Sequence, residues 1–349
     1  MNYHRSKLLG SEAVLSFSAT NALRLIFEFM VLIHHLYDTF TPIGPFFAST
    51  FGPIAVGGFI LISGYGVGKS FIKKGDAYRA RLIFERIPRN YLMIVTVNLV
   101  YLFLFLYGGN LFNSAEGAIA SVLYLPFLPD YETLSHYIYF LADLMIYYIL
   151  FAGISYLFKK LKNPLLWTAI TMFGLCFVTM VVLEIINGAT GNNGAMRGAL
   201  CFPAGLIIAC FDDEIVKAIY KRGPLICIAL MLPLVPCAFF WEENIPYEYL
   251  MPLFFSLGLC MLFFQVKFNS KVINYLASLV LYVYVSHEFI REFLRMKFTG
   301  FLTHKLSFLT LKNEIFIITI IVSLAFAVLC DLIKRLIKLI NKQRKIKRT

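Results

Sequence analysis

The chain has 349 residues, of which 59% are hydrophobic and only 15% charged, with a formal net charge of +12. A soluble domain is nearer half apolar and a quarter charged, and a mean hydropathy of +0.75 excludes a water-soluble core as the home of so many uncharged stretches. The positive charge does not mark a nucleic-acid binder, because Lys and Arg gather in short connectors between apolar runs and in the tail 334–349. That placement belongs to cytoplasmic loops.

Hydrophobic length predicts an all-α integral membrane protein of about ten transmembrane helices in a single domain over 1–349. The runs fall at 17–37, 47–68, 90–107, 136–158, 164–186, 197–211, 224–240, 250–266, 272–290 and 314–333. The first starts near Ser16, is long enough to span, and lacks a small-residue cleavage site, so it reads as a span rather than a signal peptide. Connectors 69–89, 159–163 and 212–223 are rich in Lys and Arg, whereas 108–135 and 241–249 have none. Alternate connectors therefore place both termini in the cytoplasm. After the ninth run, Arg291, Arg295, Lys297, Lys305 and Lys312 break the rule on the outer side. The seven cysteines all lie in apolar runs without metal-ligand spacing and read as small packing residues, so no metal centre is expected.

In the first span, Arg24 and His35 are eleven residues apart. At 100° per residue they share a stripe, about 16 Å apart along the axis. Glu28 lies one turn from Arg24 on that stripe, and Asp38 one turn beyond His35, where it could orient the imidazole. A charge at the bilayer centre costs roughly 2.5–3.5 kcal/mol on insertion scales, so the stripe should face protein or a cavity rather than lipid. The plainer alternative is an Arg24 that snorkels to the surface.

In the second span the run from Gly52 to Gly66 includes Gly57, Gly58, Ser63 and Gly64. Such small residues serve close helix packing or passage of a thin ligand beside the backbone, and the run alone does not choose. Arg86 and Arg89 stand at the cytoplasmic entry of the third span, where they could grip phosphates or simply anchor the helix. His136 and Asp143 are seven residues apart on nearly one face of the fourth span, with Tyr147 a turn further. The ninth span ends Tyr284-Val285-Ser286-His287-Glu288, followed by Arg291. As residues alone, Arg24, Glu28, His35 and Asp143 also fit a proton-coupled transporter or flippase of a polar solute.

Taken in order, these features resemble the bacterial acyltransferase 3 family along nearly the whole chain. Arg24 and His35 are similar to its Arg, ten residues, His pattern. Gly57-Gly58-Phe59 and Ser63-Gly64-Tyr65 resemble its second-span signature, and Arg86 with Arg89 its Arg-x-x-Arg. Tyr139-Phe140-Leu141 with Tyr147 resembles its fourth-span pattern, and Tyr284-Val285-Ser286-His287 its Tyr-Leu-x-His. Tyr139 stands where Trp is common, Glu28 lies outside the pattern, and Pro88 falls inside the Arg-x-x-Arg.

The resemblance implies a multi-pass protein of the bacterial cytoplasmic (inner) membrane. It would move an acyl group, commonly acetyl, from cytoplasmic acyl-coenzyme A to a hydroxyl of an extracytoplasmic glycan or lipid-linked sugar. His35, with Asp38, Arg24 and Glu28, is then the expected catalytic set. Arg86, Arg89, Gly57, Gly58 and Ser63 are expected to bind the coenzyme. His136, Asp143, Tyr284, His287 and Arg291 are expected on the acceptor side.

Overall fold

The computed structural model describes residues 14–36, 45–107, 112–125, 130–132, 134, 139–187, 198–232, 245–264, 270–302 and 311–346. Among these there is no strand. The helices in chain order are α1 (Phe17–Leu36), α2 (Pro45–Lys74), α3 (Asp76–Arg81), α4 (Ile87–Tyr107), α5 (Ala115–Val122) and α6 (Tyr139–Leu157). They continue with α7 (Pro164–Asn187), α8 (Cys201–Cys210), α9 (Asp212–Met231), α10 (Ile245–Phe264), α11 (Lys271–Leu302) and α12 (Leu311–Ile346). A π turn, Leu82–Arg86, joins α3 to α4.

Among the described residues, seven stretches are long and apolar enough to cross a membrane: Phe17–His35, Thr50–Lys74, Asp76–Tyr107, Tyr139–Leu157, Pro164–Val182, Lys271–Leu294 and Ile315–Ile337. They account for seven of the ten expected runs. The run at 197–211 forms the ten-residue helix α8, about 15 Å long and so only half a hydrocarbon core. The run at 250–266 carries the shorter apolar stretch Leu250–Phe263. The run at 224–240 begins in α9 and continues into 233–244, outside the described residues. In α9, Arg222 takes φ −139° and ψ 25°, which divides the helix into a charged first half and an apolar second half.

The core of the bundle is α2, buried along most of its length and packed against α1, α8 and α10. Its closest partner is α8, and glycine makes that possible. A Cβ on Gly64 would strike the carbonyl oxygen of Phe202, and one on Gly205 the carbonyl oxygen of Leu61. Toward one end Gly198 lies against Gly57, and toward the other Gly68 faces the Cβ of Ala209. The pairs 57/198, 64/205 and 68/209 share the intervals seven and four, so the two helices run parallel in register. Dispersion contacts of this kind, rather than the hydrophobic effect, hold helices together in lipid.

The remaining faces of the second-span glycines are filled by protein. A Cβ on Gly57 would lie 2.6 Å from Pro252 Cβ and 3.1 Å from Cys201 Sγ, and one on Gly58 would meet the Phe27 ring. The close-packing use of this run is therefore realised at Gly57, Gly58 and Gly64.

Asp212, at the start of α9 and 4% exposed, ties three segments together. It accepts from the Val14 amide at 2.9 Å and the Tyr65 hydroxyl at 3.0 Å, and pairs with Lys69 at 2.7 Å. This cluster explains Tyr65 of the Ser-Gly-Tyr run as a tether. Gly75, at φ +53°, lets the chain turn from α2 into α3 in a conformation a side chain would oppose.

Segment 108–135, expected to be a connector, contains α5, which packs against α4. Buried Asn98 donates to the carbonyls of Ser121 and Val122 at 3.1 and 3.2 Å, and Tyr91 donates to that of Leu123 at 3.0 Å. These carbonyls lie at the end of a helix, where intrahelical donors run out; that of Ser121 also accepts from the Tyr124 amide at 3.3 Å. Side chains of α4 supply the donors, which is how such a turn survives against a membrane helix.

Candidate active site

Helices α1 and α11 pack side by side, and His35 in the last turn of α1 meets His287 midway along α11. His35 Nδ1 lies 2.6 Å from His287 Nε2, with the rings nearly parallel and 4.9 Å apart. His287 is completely buried, and its Nδ1 is 3.2 Å from the carbonyl oxygen of Val283, one turn back on its own helix. A carbonyl can only accept, so Nδ1 of His287 carries a proton and donates it there. Its Nε2 in the neutral ring is then an acceptor, which makes His35 Nδ1 the donor of the shared bond. The lone pair of His35 resides on Nε2. The sequence, which had paired His35 with Asp38, gave no sign of this coupling between positions 252 apart. Asp38 and His136 lie outside the described residues.

Glu288 is the residue of this cluster that sequence reasoning passed over. It is 1% exposed, and its Oε1 is 3.5 Å from His35 Nδ1. Arg291 holds the other oxygen at 2.9 Å and reaches Glu292 at 2.9 Å. It also donates to the backbone carbonyl of His35. The available signal was the i, i+3 spacing of Glu288 and Arg291 directly after His287. Arg291 thus belongs to the histidine pair itself. The side chains of Arg295 and Lys297 lie outside the described residues.

His35, His287 and Glu288 bring one ligand atom each within 4.8 Å of one another, the donor set of a metal site. Two features favour proton chemistry instead. The imidazole nitrogens are close enough to share a hydrogen bond, and the Arg291 cation lies against the same carboxylate.

Aromatic rings surround the pair on the inner side. Tyr284 is 6.1 Å from His287, Phe140 is 5.6 Å from Tyr284, and Phe59 is 5.6 Å from Phe140. Below them the polar side chains continue. Glu28 is 4% exposed, and neither carboxyl oxygen has a hydrogen-bond partner among the described residues. The same holds for Asp143 Oδ2 and the Tyr147 hydroxyl, both one turn apart on α6. Tyr284 lies within electrostatic range of Glu28 and Asp143, and Tyr147 within range of Asp143. Arg24 is therefore not the partner of Glu28. It is exposed, and its electrostatic neighbours are Tyr148 and Arg86.

Arg86 and Arg89 look into different spaces. The Arg86 guanidinium lies 5.4 Å from the Tyr78 ring, on the side of Arg24. Arg89 is exposed and lines a groove of about 480 Å³ with Met93, Tyr101, Val285, Phe326 and Cys330. Ser63 is half-buried on α2. Of the sequence-selected residues, the fold thus brings together His35, His287, Arg291 and Tyr284, sets Glu28 and Asp143 each near Tyr284, and places Arg24 near Arg86.

No curated protein and no solved structure matches the chain. A family model described as an acyltransferase domain matches residues 17–332, nearly the whole sequence and every one of these residues. The chain belongs to the acyltransferase 3 family, as a multi-pass membrane acyltransferase.

Proposed function

We propose that the protein transfers an acetyl group from cytoplasmic acyl-coenzyme A to a hydroxyl of an extracytoplasmic glycan or lipid-linked sugar, in the bacterial cytoplasmic membrane. The observation that carries this reading is the His35–His287 contact at one end of a column of buried polar groups whose other end is Arg24 and Arg86. The whole chain acts as one domain, with both termini and the basic tail 334–349 in the cytoplasm.

Arg24 and Arg86, on the cytoplasmic side in this orientation, hold the phosphates of the coenzyme; guanidiniums from two helices suit that task. Arg89 is a secondary contact. The thioester then reaches His35 through the membrane interior. His35 Nε2 takes the proton of the acceptor hydroxyl, and the oxygen attacks the thioester carbonyl. As the new C–O bond forms, the C–S bond breaks, and the thiolate recovers the proton from His35 to leave as the free thiol. No metal or redox partner is needed for this balance. His287 fixes the tautomer of His35, and Glu288 beside Nδ1 stabilises the imidazolium while it lasts. Tyr284 and Arg291 shape the acceptor side.

The test uses the native host. His35→Ala, at equal membrane levels, should lower alkali-released acetate from the cell envelope to that of a deletion strain. Equal release from wild type and deletion strain would remove envelope acetylation as the function. Loss in the deletion strain alone would keep the activity and displace His35 from its centre.

A further inference from the structure

We infer that Glu28 and Asp143 form a binding site for the two amide groups of the pantetheine arm, so that the donor descends between α1, α6 and α11 rather than beside the glycines of α2. This rests on the reading of acyl-coenzyme A as donor. Three observations support it. The glycine faces of α2 are filled by Pro252, Cys201, Phe27 and Phe202. On α1, Glu28 lies between Arg24 and His35 on one stripe, and therefore between the proposed phosphate and thioester ends. Finally, Glu28, Asp143 and Tyr147 are each more than nine-tenths buried and leave polar atoms without a hydrogen-bond partner among the described residues.

Unmatched polar groups in a membrane interior are costly, and the chemistry of these groups indicates what would match them. A carboxyl oxygen accepts an amide N–H, and a protonated carboxyl also donates to the amide carbonyl. An amide is thus its complement in either protonation state. The arm carries two amides and one hydroxyl, and the column offers two carboxyls and the Tyr147 hydroxyl. Tyr284 of α11 has Glu28 of α1 and Asp143 of α6 as electrostatic neighbours, so carboxyls from two helices gather about one side chain. Asp143 accordingly moves from the acceptor side, where the sequence placed it, to the donor side.

The experiment measures binding to the full chain in detergent, with no acceptor required. Glu28→Met keeps the side-chain length and removes the hydrogen bonds; it should weaken acetyl-coenzyme A by about ten- to hundredfold, the worth of one or two such bonds. Glu28→Gln, which retains a donor and an acceptor, should stay within about threefold of wild type on the same basis. Adenosine 3′,5′-bisphosphate, which lacks the arm, should compete equally well in wild type and Glu28→Met, and the melting temperature should not fall. Unchanged affinity in Glu28→Met would overturn the site. So would an equal loss for the bisphosphate, or a lower melting temperature in Glu28→Met, since either marks a general structural role. A wild-type protein that binds no acetyl-coenzyme A would instead remove the donor reading beneath it.

Discussion

Replacing His287 by Leu tests the mechanism at its least legible point. The substitution keeps an apolar side chain of moderate size in a fully buried position, but removes the acceptor 2.6 Å from His35 Nδ1. A lost net hydrogen bond is worth about 1 kcal/mol, and a buried N–H left unmatched costs about 1–3 kcal/mol. His35 is then free to place its proton on Nε2, the atom that acts as base in the proposed mechanism. Together these put the loss at about 2–4 kcal/mol, or roughly 30- to 900-fold in kcat, by the usual conversion of barrier to rate. Glu288, at 3.5 Å, limits the loss by accepting the same proton.

Because His287 contacts the base and not the coenzyme phosphates, the apparent KM for acetyl-coenzyme A should change by less than about threefold, the pattern of an interaction made in the transition state. His287→Gln restores a side-chain acceptor and should recover about tenfold, one lost hydrogen bond's worth. The assay is the initial rate of acetate transfer to envelope acceptors in washed membranes, normalised to protein level. If His287→Leu retained activity within twofold, or lost it entirely through KM, the imidazole pair would not be the catalytic unit.

Two further outcomes follow from packing and from the division of the arginines. Gly64→Ala forces a Cβ onto the backbone carbonyl of Phe202, which cannot swing aside, whereas the same change at Gly66 meets nothing within 4 Å. The first should destabilise by about 1–3 kcal/mol and the second stabilise by up to about 1 kcal/mol through helix propensity, read as opposite shifts of melting temperature in detergent; equal shifts would refute the α2–α8 register. Arg86→Ala should weaken acetyl-coenzyme A binding at least about tenfold more than Arg89→Ala, the difference expected for a charge-assisted contact. Equal losses would mean that the two arginines converge on one ligand.

Most of the membrane architecture was legible because bilayer thickness imposes a length on apolar runs that needs no tertiary information. Seven runs, from Phe17–His35 to Ile315–Ile337, match helices long enough to span. The same logic failed where length is not the controlling variable. Helix α8 is only ten residues yet central, because Gly198 and Gly205 bring it against α2. Helix α5 was invisible because it is only eight residues long and its last carbonyls, those of Ser121, Val122 and Leu123, take donors from Asn98 and Tyr91 on α4.

The site divides in the same way. The stripe Arg24, Glu28 and His35 and the run Tyr284 to His287 could be read from sequence, since helical periodicity fixes which residues of one helix share a face. Periodicity says nothing about what faces them. That His35 meets His287, that Arg24 neighbours Arg86 and not Glu28, and that Glu28 and Asp143 both neighbour Tyr284 depend on how the helices are placed side by side. The sequence determined the long membrane helices and the family. Only the packing of distant helices decided which polar groups are partners, because hydrogen bonds between side chains depend on distances in space and not on spacing along the chain.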